Sequence, residues 1–188
     1  MPIRLCTMPL LLAACAATAS DTTRLRPTQW AQPVIGKGPD NWHQVATDLY
    51  RCSQPTAADM RVLVTFGIRS VCNLRQYHSD ADEVAGTSLA LHEVPLGARS
   101  LSYEDLVTAL KTLLAAEKPV AVHCWHGSDR TGAVVAAWRI AVDGWTPRQA
   151  ADEMTAGGFG FHQMFDNLRA LVEGIDPERL RADVGLER

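Results

Sequence analysis

Short apolar runs alternate with helical patterns along most of the chain. Four runs rich in apolar and β-branched residues predict strands at residues 49–52, 68–74, 89–95 and 119–123. Between them, apolar residues recur at helical spacing, most clearly in residues 102–118. Strands that alternate with helices predict an α/β fold in which a sheet is layered between helices.

Helix boundaries are marked by capping residues. Residues 56–59, 102–105 and 146–149 each have a Ser or Thr at the first position and an Asp or Gln at the fourth, the pattern of a capping box. Gly67 is placed to end the first of these helices. Residues 133–142 are apolar on all sides, which predicts a buried helix that ends at Gly144.

The N-terminal 40 residues have a different pattern. Residues 1–19 combine one positive charge with a short apolar segment and predict an export signal. Residues 12–15 (LAAC) resemble a lipobox, in which Cys15 carries the lipid, whereas residues 17–19 (ATA) fit ordinary signal cleavage. A frayed helix with an incidental cysteine is the third interpretation. Residues 20–40 are polar, with three prolines and two glycines, and predict a tether or arm before a folded domain at residues 41–183.

Composition narrows the class of protein. A chain of 188 residues, 47% of them hydrophobic, suits one globular domain. The formal net charge of −3 gives no electrostatic case for nucleic-acid binding, and no tract is apolar enough to cross a bilayer. Export predicts a periplasmic protein or a membrane-anchored lipoprotein, with membrane contact only through the lipid anchor. It leaves Cys52, Cys72 and Cys124 in the folded part, an odd number that implies a free thiol or an intermolecular pair.

The candidate chemistry lies in residues 123–132, HCWHGSDRTG, between a predicted strand and a predicted helix. A short loop at a helix N-terminus can direct its N–H groups towards an anion. Gly127 permits a close backbone approach, and the guanidinium of Arg130 can hold two phosphate oxygens. The same amides, dipole and arginine favour the thiolate form of Cys124, which predicts a nucleophile directed at phosphorus.

Two other interpretations of this loop are weaker. A zinc site built from His123, Cys124 and His126 lacks a second ligand pair and leaves Arg130 unexplained. A buried structural thiol would need neither the glycine nor the arginine.

The stretch H-C-x-x-G-x-x-R-T-G resembles the signature of cysteine-dependent protein tyrosine and dual-specificity phosphatases, and the chain is similar to the small bacterial, exported type. The resemblance extends to residues 49–55 (LYRCSQP), 67–75 (GIRSVCNLR) and 144–162, about three-quarters of the chain. It implies a central mixed sheet with helices on both faces. It also implies that the reaction requires no metal ion and no cofactor. The substrate would be a phosphorylated protein or another phosphomonoester.

The resemblance also implies roles for individual residues. Cys124 would form a phosphocysteine, Thr131 would support the thiolate and hydrolysis of the intermediate, and His123 would orient the loop. The phosphoryl group would be bound by Trp125, His126, Gly127, Ser128, Asp129 and Arg130.

The general acid departs from the family pattern. The loop that should supply an aspartate, residues 95–102, contains neither Asp nor Glu. Asp129 is the candidate, because myotubularin-type relatives carry aspartate at that position; the alternative is that Asp129 braces the loop. Glu93 and Glu104 are the next candidates.

Several other residues have two interpretations each. His126 could add positive charge for the phosphate or merely cover it. Arg75, Tyr77 and His78 edge the pocket or form a solvated strand end, and His162 is favoured as a packing residue. Cys52 or Cys72 could capture an oxidised Cys124, although small buried residues are the favoured interpretation of both.

Three functions remain open at this point. The first is hydrolysis of phosphotyrosine, and of phosphoserine or phosphothreonine, on proteins. The second is a pseudo-phosphatase that binds phosphate without turnover. The third is a phosphoinositide or small-molecule phosphatase, although positions 125 and 128 lack the lysine of phosphoinositide-selective relatives.

Overall fold

A computed structural model describes residues 26–186. The predicted export signal at residues 1–19 and Cys15 lie outside the described residues. The strands are β1 (Gln32–Pro33), β2 (His43–Ala46), β3 (Leu49–Cys52), β4 (Ser70–Arg75), β5 (Ala90–Leu96) and β6 (Val120–His123). The helices are α1 (Ala57–Phe66), α2 (Ala81–Val84), α3 (Tyr103–Ala115), α4 (Asp129–Ala141), α5 (Pro147–Ala156), α6 (Asp166–Glu173) and α7 (Pro177–Asp183), with a short 3₁₀ helix at Gln163–Phe165.

The strands form one mixed sheet in the order β1-β2-β3-β6-β4-β5. β1, β2 and β3 pair antiparallel, whereas β6 pairs parallel with both β3 and β4, and β5 pairs parallel with β4. The predicted α/β class and mixed sheet are therefore confirmed. Since β6 is central, the loop that follows it emerges between the ends of β3 and β4.

Alternate residues of the central strands face two different cores. Leu49, Val120 and Val122 belong to the larger core, which they share with α3 to α7. Tyr50 and Ala121 belong to a smaller core on the other side, closed by α1. Helices therefore cover both faces of the sheet, and the central strands are buried as parallel strands require.

The three predicted capping boxes are present. The Thr56, Ser102 and Thr146 side chains each accept a hydrogen bond from the amide three residues later. Gly67 ends α1 in the left-handed conformation, with φ of 104°. The all-round apolar helix is α4, buried along most of its length. It begins at Asp129 rather than near residue 133, so Arg130 lies in its first turn.

Part of the predicted arm is folded onto the domain. Residues 32–33 form β1 on the edge of the sheet, and Ala31 is fully buried, with its amide donating to Glu153 of α5. The folded unit therefore begins upstream of residue 41. The polar, proline-rich composition obscured this, because a single buried alanine and a two-residue strand leave almost no hydrophobic pattern. Within residues 26–186, no helix has both the length and the hydropathy required to cross a membrane.

Candidate active site

Cys124 follows β6 directly and is 1% exposed. Its side chain lies on the α4 side of the sheet, within the larger core. The four residues after it, 125–128, connect it to the first turn of α4. The carboxyl ends of parallel strands are where open α/β sheets form their binding sites, so the thiol lies where the fold favours a ligand.

The carbonyl groups of this loop are held from outside. Trp125 O accepts from the amide of Gln54 (3.0 Å), and His126 O accepts from Asn41 Nδ2 (2.9 Å). Gly127 O accepts from Arg51 Nη2 (2.6 Å). Because these carbonyls are bound on one side, the N–H groups of the same peptide units, those of residues 126–128, face the other, and the amides of residues 129 and 130 lie in the first turn of α4. No amide from residue 125 to residue 130 donates a hydrogen bond to another described residue, which is the arrangement of an anion-binding nest.

Gly127 is required by both conformation and space. Its φ is +69°, in the left-handed region. A Cβ at this position would collide with the backbone carbonyl of Cys52 at the end of β3. Any side chain would therefore push the loop away from the strand.

Arg51 is a site residue that the sequence analysis missed. Its side chain is fully buried beneath the loop, donates to the Gly127 and Ser128 carbonyls, and has its guanidinium 3.7 Å from the centre of the Phe159 ring. Burial lowers the pKa of Arg51 to about 10, although the charges of Glu153 and Cys124 oppose the shift. An arginine within the apolar run LYRC was the available signal.

His123 and Asp80 form a buried pair on the other face of the sheet. His123 Nε2 lies 2.6 Å from Asp80 Oδ2, and both side chains have no exposed surface. His123 Nδ1 lies 3.1 Å from the Cys124 carbonyl oxygen, so only a doubly protonated ring can donate to both acceptors. Burial opposes ionisation of Asp80, but hydrogen bonds from His123 and Gln54 and the charge of His123 hold its pKa below the usual range.

Arg130 and Thr131 lie in the first turn of α4. Arg130 Nη1 donates to the Leu96 carbonyl oxygen (3.3 Å), and its buried Nε has no partner among the described residues. Thr131 is fully buried, and its hydroxyl likewise has no partner there. Each residue therefore keeps a donor available beside Cys124.

Asp129 is 5% exposed and accepts three hydrogen bonds. Its Oδ1 accepts from the amide of His162, and its Oδ2 accepts from His162 Nδ1 (both 2.9 Å) and from Ser128 Oγ (3.0 Å). These contacts tie the start of α4 to the segment after α5. The His162 side chain is 43% exposed, and its ring lies 5.1 Å from that of His126, which is also exposed.

A pocket of about 510 Å³ opens beside the loop. Arg75, Tyr77, Trp125 and Arg130 line it, together with the segment after β5. Arg75 and Tyr77 therefore edge this pocket, whereas His78 instead contacts Asp80 and Glu83.

No Asp or Glu is among the residues that line the pocket, all of which the structure describes. Glu93 Oε1 instead accepts from the amide of Asp80 (3.2 Å). Glu104 is exposed in the first turn of α3.

Two groups of side chains in the described part of the chain could hold a metal ion. His126, Asp129 and His162 form one group, and His78, Asp80 and Glu83 form the other; in each, the ligand atoms lie within 4.8 Å of one another. In both groups the aspartate already accepts hydrogen bonds that account for its position. His123 and Cys124 point to opposite faces of the sheet, so they do not converge with His126.

The other two cysteines among residues 26–186, Cys52 and Cys72, are buried thiols. Burial raises the pKa of Cys72 to about 12, and burial together with the charge of Asp80 raises the pKa of Cys52 further. Both therefore stay protonated and slow to react at neutral pH, as small buried residues would.

Comparison with known proteins identifies a family and relatives that this chain matches. A family described as "DSP-PTPase phosphatase fused to NAD+ Kinase" matches residues 29–167. The dual specificity protein phosphatase TpbA of Pseudomonas aeruginosa is 31% identical over 165 residues, which cover 87% of this chain and 74% of TpbA.

Solved structures agree with this comparison. The crystal structure of P. aeruginosa TpbA superposes with a TM-score of 0.77 at 30% identity and covers 85% of this chain and 99% of its own. A cysteine-to-serine variant of TpbA in complex with phosphotyrosine gives the same score at 29% identity, with coverage of 86% and 99%. The PP-IP phosphatase SIW14 from S. cerevisiae, at 20% identity and a TM-score of 0.69 over 80% of this chain and 94% of its own, shares the fold.

Proposed function

Because this chain belongs to the family of cysteine-dependent dual-specificity phosphatases, we propose that it hydrolyses phosphotyrosine and other aryl phosphates on proteins through a phosphocysteine on Cys124. The observation that carries the proposal is the loop whose carbonyls are held from outside while its amides face the anion site above the thiol. The phosphotyrosine complex of the TpbA variant supports the substrate class.

The first chemical step uses the thiolate. Cys124 Sγ attacks phosphorus, an S–P bond forms, and the bond from phosphorus to the phenolic oxygen breaks with its electron pair leaving on that oxygen. The amides of residues 125–130, the α4 dipole and Arg130 stabilise the charge on the phosphoryl oxygens. Water then attacks the phosphocysteine, which releases inorganic phosphate and regenerates the thiolate.

Buried residues that contact the loop fix the geometry of the anion site. Arg51 holds the Gly127 carbonyl, and the His123–Asp80 pair orients the backbone at Cys124. The Arg51 guanidinium also lies close enough to Cys124 for the two groups to interact electrostatically. Thr131 contributes the buried hydroxyl proposed to support the thiolate and hydrolysis of the intermediate.

The leaving group explains the preference for aryl phosphates. A phenol leaves with less need of protonation than an alkyl alcohol, and no carboxyl group lines the pocket. Both carboxylate oxygens of Asp129 accept hydrogen bonds, which favours bracing over proton donation. Phosphotyrosine should therefore be cleaved faster than phosphoserine or phosphothreonine.

Turnover of matched phosphotyrosine and phosphoserine peptides tests the proposal, with Cys124→Ser as the decisive variant. We expect that substitution to lower turnover by on the order of 10⁴–10⁶ while vanadate still binds, because the loop remains. Acid-quenched wild-type enzyme should carry labelled phosphate on Cys124. Cys72→Ser, which removes a buried thiol elsewhere in the core, should keep that label. Substantial turnover by Cys124→Ser would rule out the covalent route.

We also propose that the chain is exported and anchored through a lipid on Cys15, or otherwise released into the periplasm after cleavage following residue 19. The support is the charged and apolar pattern of residues 1–19 and the LAAC sequence at residues 12–15. Metabolic labelling with a fatty acid distinguishes the two routes. A lipoprotein takes up label that Cys15→Ala loses, whereas the unlabelled protein in the periplasmic fraction would indicate plain cleavage.

A further inference from the structure

Three arginine side chains meet at the carboxyl end of β5. Arg75 lies opposite Leu96 in the register of β4 and β5, and Arg130 Nη1 donates to the carbonyl of the same Leu96. Arg99 follows three residues later in the segment after β5, and all three arginines line the one pocket. The pocket is therefore positive although the chain as a whole carries a formal charge of −3.

These charges have no counter-ion in the pocket. Within the part of the chain that the structure describes, no salt bridge involves Arg75, Arg99 or Arg130. Asp80, whose charge acts on Arg75, is itself fully buried and bound by His123 and Gln54. Uncompensated like charges that share a site repel one another, and an anionic ligand removes that cost.

Arg75 is held in position before any ligand arrives. Its Nη1 donates to Gln54 Oε1 (2.8 Å), and its guanidinium stacks on the ring of Trp125 at 4.2 Å. Arg99 is exposed and lies 5.6 Å from the Phe165 ring, on another side of the same pocket. A pre-positioned planar fork loses little freedom when it binds an oxyanion.

We propose that Arg75 and Arg99 form a second anion subsite that selects phosphotyrosine peptides with a carboxylate or a second phosphate beside the phosphotyrosine. This inference rests on the proposed function, in which Arg130 and the loop amides take the phosphoryl group that reacts. Arg75 and Arg99 then remain available to bind a neighbouring anionic group of the same substrate.

The surroundings of the pocket favour a peptide over a small molecule. Tyr77 is 91% exposed and Trp125 is 56% exposed at its edge. Exposed tyrosine, tryptophan and arginine side chains are the residues enriched where proteins bind other polypeptides.

The test compares three phosphotyrosine peptides of equal length, in which the neighbouring residue is neutral, glutamate or phosphoserine. We expect wild-type kcat/KM to be about tenfold higher for the two anionic peptides, the scale of one charge-assisted hydrogen bond. The preference should shrink as salt is added, because both arginines are reached by solvent. Arg99→Gln and Arg75→Gln should each reduce the ratio of anionic to neutral turnover several-fold.

A control variant, the choice of test variant and a competing compound separate the possible outcomes. Arg61→Gln, which removes an exposed arginine from α1 on the opposite face of the sheet, should keep the wild-type ratio. Arg75 also touches Trp125, so Arg99→Gln is the variant that leaves contacts to the loop intact. A small bisphosphorylated compound that outcompetes every peptide would overturn the choice of a peptide substrate.

The two proposals fail in different ways. Turnover of the neutral peptide with no preference among the three would overturn the subsite and leave the phosphatase proposal standing. Absence of turnover on every peptide would count against the phosphatase proposal itself.

Discussion

Two of the histidine–aspartate pairs in the described residues involve the ends of the loop, at His123 and at Asp129, and they differ mainly in their access to water. His123 and Asp80 lie 2.6 Å apart with no exposed surface, whereas His162 and Asp129 lie 2.9 Å apart with a His162 side chain that is 43% exposed. The buried pair must stay hydrogen-bonded, because a carboxylate at that depth is costly without its partner. At the exposed pair, water can replace the histidine. The same two residue types therefore fix the backbone at Cys124 in one place and fasten a surface segment in the other.

The largest effect is expected from Asp80→Asn. We expect it to lower the free energy of unfolding by about 3 kcal/mol at neutral pH, because it replaces a fully buried carboxylate that accepts hydrogen bonds from His123 and Gln54 with a neutral amide. Turnover should fall with it, since the backbone at Cys124 loses its support. Urea unfolding at pH 7 measures the first quantity, and Asp82→Asn, an exposed aspartate of α2, is the matched control.

The pH dependence of the same variant sharpens this prediction. The pKa of Asp80 is lowered in the folded state, so the pair contributes stability above the unfolded pKa of about 3.9 and loses it as pH falls through the folded pKa. The gap between wild type and Asp80→Asn should therefore narrow below about pH 4. A gap that stays constant from pH 7 to pH 3 would show that the carboxylate charge of Asp80 is not what stabilises the fold.

Asp129→Asn should have an intermediate effect. Asparagine keeps one acceptor oxygen for the amide of His162 but loses the charge that holds the ring, so the start of α4 loosens. We expect turnover of aryl and alkyl phosphates to fall by the same factor, about tenfold. Asp166→Asn, an exposed first-turn aspartate in α6, serves as the control. A loss on alkyl phosphates larger by on the order of 10²–10⁴ would instead identify Asp129 as the general acid.

The smallest effect is expected from His162→Ala. The amide of residue 162 still donates to Asp129, and only a solvent-accessible ring is removed, so stability should change by less than about 1 kcal/mol. Steady-state kinetics and thermal unfolding, compared with Met164→Ala at a neighbouring exposed position, measure this. If His162→Ala proved as damaging as Asp80→Asn, exposure would not be what separates the two pairs.

The sequence predicted the parts of this molecule that local patterns specify. The capping boxes at Thr56, Ser102 and Thr146 are short-range hydrogen-bond patterns, so they can be read without knowledge of the fold. The loop from Cys124 to Arg130 is also contiguous, and its chemistry follows from the residue types alone.

The supporting residues could not be predicted in this way, because they act across long sequence separations. Asp80 lies in the polar stretch HSDADE and resembles a solvated turn until the sheet brings it to His123. Asn41 was predicted only as the first residue of the domain, yet it binds the carbonyls of His126 and Phe159. Arg51 alone left a signal, a charge inside an apolar strand.

The docking of the first described residues on α5 has a consequence for how the domain acquires its shape. Ala31 reaches Glu153 across 122 positions and Asn41 reaches Phe159 across 118, so both contacts close very long loops. Closing such loops costs more chain entropy than forming local turns, and contacts of this kind form late in folding. During synthesis from the N-terminus, Ala31 and Asn41 leave the ribosome long before Glu153 and Phe159. These two contacts therefore cannot form until α5 and the segment after it follow. Of the contacts that brace the signature sequence, the one between Asp129 and His162 depends on a residue translated 33 positions later. Catalytic competence should therefore be among the last properties that a newly made chain acquires.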